Sequence, residues 1–231
     1  KTLLDALIVN TAYSLRPVYR DVFYTEQNSE IIFSIQYIND NAAESQDFSR
    51  EFTTTGQARG LNYPTSNFKA AVSSADLRNA TLYNPTRKNE VGKFVTSSKN
   101  LTLCGNDWIV LRLADVLLMH AESILAQATS TTNLSAINSY NRIRSRAGLS
   151  QLPTNGSGSL TKLMLLNERR VELAFENHRL YDLIRFGEAE NVLGAFATAE
   201  GFTFTTTDLL LPIPQREIDT SFGAISQNPG Y

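Results

Sequence analysis

Between Trp108 and Gln127, apolar residues fall on every side of a helical wheel: Ile109, Val110, Leu111, Leu113, Val116, Leu117, Leu118, Met119, Ile124 and Leu125. A helix without a polar face has nowhere to sit but the centre of its domain. Asn106 or Asp107 supplies a capping side chain at its start, so the pattern predicts one long buried helix over 106–127. Arg112 and Asp115 interrupt the apolar surface. On a buried element each needs a polar partner from elsewhere in the chain.

The neighbouring segments predict what packs on this helix. After a Ser/Thr-rich turn at 129–132, Leu134, Ile137, Tyr140, Ile143 and Ala147 mark a second helix, stopped by Gly148. The short link makes an antiparallel helical hairpin. A Gly/Ser/Pro loop at 153–159 leads to a third helix over 160–176. Asn177-His178 breaks it before a short helix over 179–186 that stops at Gly187. Two hairpins in series predict tetratricopeptide-like packing. Upstream, residues 2–20 read as a helix ended by Pro17, and 30–37 (EIIFSIQY) as a strand. Residues 39–66 form a long polar loop, 67–78 a short helix or turn, and 91–95 a short strand. Pro212 and Pro214 make the tail extended, with Leu211 and Ile213 as its anchors. The predicted fold is mainly α: helical hairpins with long irregular loops and a few short strands. It divides into a loop-bearing region at 1–105 and a helical region with a closing tail at 106–231.

Composition narrows the function. With 21 basic and 23 acidic residues among 231, the chain lacks the basic excess that nucleic-acid binding requires. A single cysteine, Cys104, precludes an internal disulfide and reads as a small core residue. His120 and His178 are the only histidines. Neither belongs to a metal-binding motif, so no transition-metal site is expected, while calcium stays open through carbonyls and the oxygen donors of 39–47. The 39–47 loop is rich in oxygen donors but has no EF-hand pattern. There is no Gly-rich phosphate loop and no nucleophile elbow, so no cofactor is expected.

One cluster invites a catalytic reading. Glu168, Glu172 and Glu176 recur at intervals of four and line one helical face. Paired carboxylates perform glycoside hydrolysis, but from opposite sides of the substrate and with one pKa raised. Here Arg169, Arg170, Arg179 and Arg185 lie close in sequence and would lower both. The cluster therefore reads as structural ion pairing.

Three blocks of sequence resemble the C-terminal region of the SusD/RagB family: 108–122 (WIVLRLADVLLMHAE), 165–187 (LLNERRVELAFENHRLYDLIRFG), and the closing 210–219 (LLPIPQREID) with 226–231 (SQNPGY). The resemblance extends to the 30–37 strand and to an aspartate–any–arginine pair, Asp76 and Arg78. It implies a SusD-like, non-enzymatic carbohydrate-binding protein of Bacteroidetes, a lipoprotein held at the outer membrane. Such a protein captures glycans or other nutrients for a SusC-like TonB-dependent transporter. The sequence starts at Lys1 without a signal peptide or lipidation cysteine. The resemblance therefore implies a fragment whose N-terminal half would supply the anchor and part of the ligand site.

Sugars are held by aromatic rings against their apolar faces and by amides, carboxylates or guanidiniums at their hydroxyl rim. Aromatic residues in polar loops are the informative ones, because no core demand explains them. The 39–66 loop offers Phe48, Phe52 and Tyr63 beside Asp47, Arg50, Arg59 and Asn62. The expected site has Tyr63 as stacking platform and Arg59 and Asn62 as hydrogen-bonding partners, with Phe52 and Asp47 alongside. Trp108, at the start of the most apolar segment, is expected in the core. The rival readings are a helical-repeat protein-interaction module without its own ligand site, and a glycoside hydrolase using the glutamate cluster.

Overall fold

The computed structural model describes residues 1–53, 62–87 and 89–231. Ten α-helices dominate them, with four short strands and two 3-10 turns. The chain divides into two compact units, 1–177 and 178–231, each described by itself. No helix among the described residues is long and apolar enough to cross a membrane.

The first unit is built around α5, Leu113–Leu125. Leu113, Ala114, Val116, Leu117, Leu118 and Ala121 have no exposed surface, as its all-round apolarity requires. Helix α6, Leu134–Arg146, packs on it after a short link. Asn133 caps α6 by accepting from Ser135 N at 2.9 Å. Helices α1 (Thr2–Ile8) and α7 (Lys162–Glu172) also lie against α5. Thr161 caps α7 by accepting from Met164 N at 3.1 Å. The tiny strands β3 (Ser130–Thr131) and β4 (Leu160–Thr161) pair antiparallel and tie the hairpin link to the start of α7.

Three expected boundaries move. Residues 108–112 are a strand, β2, not the first turn and a half of the central helix. They pair antiparallel with β1, Ile31–Ile35, matching Ile31 to Arg112 and Ile35 to Trp108. A short β-branched apolar run fits either element by periodicity, and here the partner strand decides. Helix α1 ends at Ile8, where the Asn10 side chain accepts from Ala12 N at 2.9 Å and turns the backbone away from the helix. Helix α7 ends at Glu172 rather than 176. The Glu172 carbonyl accepts from Lys93 Nζ at 3.1 Å and Arg112 Nη2 at 2.8 Å, and also from the Tyr19 hydroxyl. The Ala174 carbonyl accepts from Lys93 Nζ at 2.7 Å. Side chains satisfy carbonyls that a helix end leaves open.

Short helices α2 (Asp21–Tyr24), α3 (Ser66–Ala71) and α4 (Asn79–Leu82) complete this unit. Tyr19, Val22, Phe68, Leu82, Ile109, Val171 and Ala174 form a second core beside α5. Among aromatic rings, Phe94 stacks on Trp108 at 5.9 Å and tilts against Phe52 at 4.6 Å, while Phe48 meets Trp108 edge-on at 5.2 Å. Trp108 is thus a core ring, although half-buried.

The second unit holds α8 (Arg179–Phe186), α9 (Ala189–Glu200) and α10 (Gln215–Thr220). Gly187 ends α8 at φ 71°, a left-handed position that glycine adopts without penalty. The proline-containing tail is extended at 210–214, as expected. Leu211 is 59% exposed and does not anchor it. Amides do so instead. Gln227 exchanges two hydrogen bonds with the Ile213 backbone, at 2.8 and 2.9 Å, and Asn228 Nδ2 donates to the Leu211 carbonyl at 2.7 Å. Pro212 and Pro214 have no N–H to donate into a ladder, and side chains of the closing SQNPGY partner the backbone between and before them.

Candidate functional site

The three glutamates of α7 and the turn that follows it form a charged interior, and it is closed. Glu168, Glu172 and Glu176 are 4%, 0% and 6% exposed. Glu172 accepts from Arg78 at 3.0 Å and Arg112 at 2.6 Å, and pairs with Arg146. Glu168 pairs with Arg78 at 2.6 Å and Arg144 at 3.1 Å. Glu176 pairs with Lys93 at 2.6 Å and Arg112 at 2.7 Å. Asp76 clamps Arg78, and Glu30 clamps Arg112 and Arg146. Five cations (Arg78, Lys93, Arg112, Arg144, Arg146) thus meet five anions (Glu30, Asp76, Glu168, Glu172, Glu176).

The structural reading of the cluster holds, but its cations are not the expected ones. Arg169 reaches Asp115 at 2.8 Å, Arg170 reaches Asn67 at 2.6 Å and Arg185 reaches Asp182 at 2.8 Å. Burial alone would lift the Glu172 carboxyl, yet Arg146, Arg112 and Arg78 outweigh it and hold the group well below the usual carboxylate range. Glu176 is likewise brought to about 2 by Arg112 and Lys93 against the pull of burial. Burial draws Lys93 down to about 8 despite Glu176. A glycosidase acid needs a raised pKa and an open approach; this cluster has neither.

The open site lies on the loops. From β1 the chain enters 36–53, and across from it runs 95–107. The two segments are sewn together: Gln46 and Cys104 exchange backbone hydrogen bonds at 2.9 and 2.7 Å. Asn39 accepts from Gly105 N at 2.7 Å and donates to Ser97 Oγ at 2.9 Å. A Cβ on Gly105 would meet Asn39 N at 2.4 Å, so only glycine permits this approach. Cys104 is fully buried beneath, and burial raises its thiol pKa.

Beside this seam opens a cleft of about 340 Å³ whose lining includes Arg20, Tyr24, Asn39, Thr96, Asn106 and Asp107. The Arg20 guanidinium sits 4.1 Å from the centre of the Tyr24 ring. Tyr24 is fixed by donating to the Gly92 carbonyl at 2.5 Å and accepting from Val95 N at 3.1 Å. Asp107 accepts from Tyr37 N at 3.0 Å, and its Oδ2 has no partner among the described residues. Burial, aided by Glu26, raises its pKa. An aromatic wall with an amide, hydroxyl and carboxylate rim suits a hydroxylated ligand.

None of the described members of the expected site (Asp47, Phe52, Asn62 and Tyr63) lines this cleft. Tyr63 is 36% exposed. Asn62 is exposed, and its backbone N–H donates to the Glu51 carbonyl at 3.0 Å. Asp47 is exposed and pairs with Arg50 at 3.0 Å. Phe52 is only 7% exposed and its ring belongs to the core beside Phe94 and Phe175. A ring buried among other rings is not offered to a ligand, so the reading of Phe52 as a loop aromatic is corrected. Arg59 lies outside the described residues. The sequence reading missed Arg20, Tyr24 and Asp107. A Tyr and an Arg four apart gave a helical-spacing signal, but nothing in sequence joined them to Asn39 and Asn106. Among the described residues no three or more His, Cys, Asp or Glu gather as a metal-holding group.

The family model for the SusD family matches residues 89–231, more than half the chain. The chain belongs to the SusD family. The match includes all three blocks singled out above. A SusD-like protein P2 from Formosa agariphila is 34% identical over 133 residues, which cover 54% of this chain and 26% of that protein. The fold matches surface glycan-binding protein A from Bacteroides thetaiotaomicron with a TM-score of 0.79 at 24% identity, covering 99% of this chain and 58% of that one. The same protein in complex with laminarihexaose gives 0.78, over 98% and 58%. The chain thus spans little more than half the length of these structures and about a quarter of the Formosa agariphila protein.

Proposed function

We propose that this chain carries part of a non-catalytic glycan-binding surface and serves at the outer membrane of its cell. There it delivers ligand to a SusC-like TonB-dependent transporter, in a protein held by a lipid anchor. The observation that carries this reading is the loop-face cleft, where Tyr24, Arg20, Asn39, Asn106 and Asp107 combine an aromatic wall with a polar rim. Membership of the SusD family and a solved relative that holds laminarihexaose support it. No covalent step is needed. The glutamates that would perform one are buried in ion pairs. Tyr63, with Asn62, Arg59 and Asp47, is proposed to contribute to ligand contact from the 39–66 segment.

Sugar binding exchanges water hydrogen bonds for protein ones of similar strength, so affinity is modest and selectivity comes from where the rings and amides stand. The test is calorimetric titration of neutral oligosaccharides, laminarihexaose included, into the chain and into its Arg20→Ala and Tyr63→Ala variants, with ligand integrity followed by chromatography. Binding weakened in both variants, with intact ligand, supports the reading. Turnover of the ligand, or binding unaffected by either substitution, overturns it.

A further inference from the structure

A second cleft lies on another face of the first unit. It is a shallow, open hollow of about 650 Å³ between the 15–17 segment, helix α6 and the 151–154 loop. Its lining includes Arg16, Arg142 and Arg146, with Asn138, Ser145 and Gln151, and holds no acidic residue. The three guanidiniums differ in how far their charge is answered. Arg146 pairs with Glu30 at 2.9 Å and with Glu172, yet its Nε has no acceptor. Arg16 has only Asp21 at 3.5 Å, with both side chains about a third exposed; such a pair stabilises little. Its Nε also has no acceptor. Arg142 has no carboxylate partner among the described residues. One hydrogen bond to the Ile8 carbonyl, at 3.3 Å, is the contact that places it. Half-burial without a counter-charge lowers its pKa.

Arg142, half-buried with no carboxylate partner among the described residues, and Arg16, held only weakly by Asp21, give this lining an unanswered positive charge. That charge suits an oxyanion, because the guanidinium fork matches the spacing of carboxylate and sulfate oxygens. Arg146 beside them is already answered by Glu30 and Glu172. The amide and hydroxyl side chains of Asn138, Gln151 and Ser145 add hydrogen-bonding groups suited to sugar hydroxyls. Leu15 and Pro17 supply an apolar edge. We propose that this cleft binds a sugar unit bearing a carboxylate or a sulfate ester, so that the chain selects acidic glycans at a site distinct from the loop face. The proposal rests on the glycan-binding reading for its choice of ligand class, and on the arginine geometry for its charge.

The experiment compares matched pairs of polymers on the 231-residue chain by affinity electrophoresis and calorimetry. The pairs are dextran sulfate against dextran, and polygalacturonate against fully methyl-esterified pectin. Tighter binding of a charged member than of its neutral counterpart, weakening with added salt, is expected. Which pair shows the preference tells sulfate from carboxylate. Arg142→Gln should weaken charged-polymer binding about tenfold, or ~1.4 kcal/mol. Arg142→Lys should recover part of it, and neither variant should change binding of neutral oligosaccharide at the loop face. A thermal melt of each variant establishes that it is folded. Equal binding of charged and neutral polymers, or no effect of Arg142→Gln in a folded variant, overturns the proposal. So does binding of polyglutamate in place of either polysaccharide, which would make the cleft a protein contact. A failure of the loop-face reading looks different: charged polymers still bind, and Arg20→Ala and Tyr63→Ala change nothing.

Discussion

Replacing Glu172 by Gln keeps the side chain's shape and removes one charge from the most buried part of the network. Glu172 has no exposed surface and sits against three guanidiniums: Arg78 at 3.0 Å, Arg112 at 2.6 Å, and Arg146. The substitution leaves five buried or half-buried cations against four anions, and the new amide donor faces other donors. Breaking a buried ion pair from one side costs about 3–5 kcal/mol, because the abandoned charge stays desolvated. That is a large part of the ~5–15 kcal/mol that holds a domain folded. With a urea slope in the usual range of about 1–3 kcal/mol per molar, near its upper end for a chain of this size, the midpoint should fall by roughly 1–2 M. Trp108, the single tryptophan, reports the transition by fluorescence from its place against Phe94 in the first unit. A midpoint moved by less than ~0.5 M at unchanged slope would refute the idea that this network is a tight, charge-balanced lock.

The same network sets the acid limit of the fold. Glu176 sits at about 2 against an ordinary 4.5, and Glu172 is lowered in the same direction. Between those values the unfolded chain binds more protons, so stability is fully present above pH 4.5 and is lost as pH falls towards 2; urea midpoints measured across that window should drop steeply, and a flat profile would contradict the assignment. On the loop face, Gly105→Ala places a Cβ 2.4 Å from Asn39 N. This change should part the 36–53 and 95–107 segments, raise their susceptibility to proteolysis and weaken neutral oligosaccharide binding, while the helical core melts nearly as before.

The helical layer is legible in the sequence because its signals are local. The apolar run that becomes α5, the Leu134–Ala147 stripe of α6 and the Gly187 stop each act within a few residues. The errors come where distant residues decide. The 108–112 run has strand and helix character alike, and pairing with Ile31–Ile35 makes it a strand. Glu168, Glu172 and Glu176 were readable as ion-paired, but their partners Arg78, Lys93, Arg112, Arg144 and Arg146 come from four other segments of the chain. No spacing rule reaches across such separations. The end of α7 at Glu172 was illegible for the same reason, since Lys93, Arg112 and Tyr19 take the carbonyls that would have continued it. The loop aromatics separate only in three dimensions: Phe52 turns inward to Phe94, while Tyr63 remains partly exposed. The residues of the 340 Å³ cleft come from 20–39 and 95–109, brought together by the seam at Asn39 and Gly105.

The central claim is that a glycan sits against the seamed loops and leaves unchanged. Amide hydrogen exchange of the chain, with and without saturating oligosaccharide from whichever glycan binds in titration, tests it most directly. Protection is predicted in peptides covering 20–26, 37–47 and 95–107, with exchange of α5 and α6 unaltered and the sugar recovered intact. Protection confined to segments outside these three, or a hydrolysed sugar, would contradict the account.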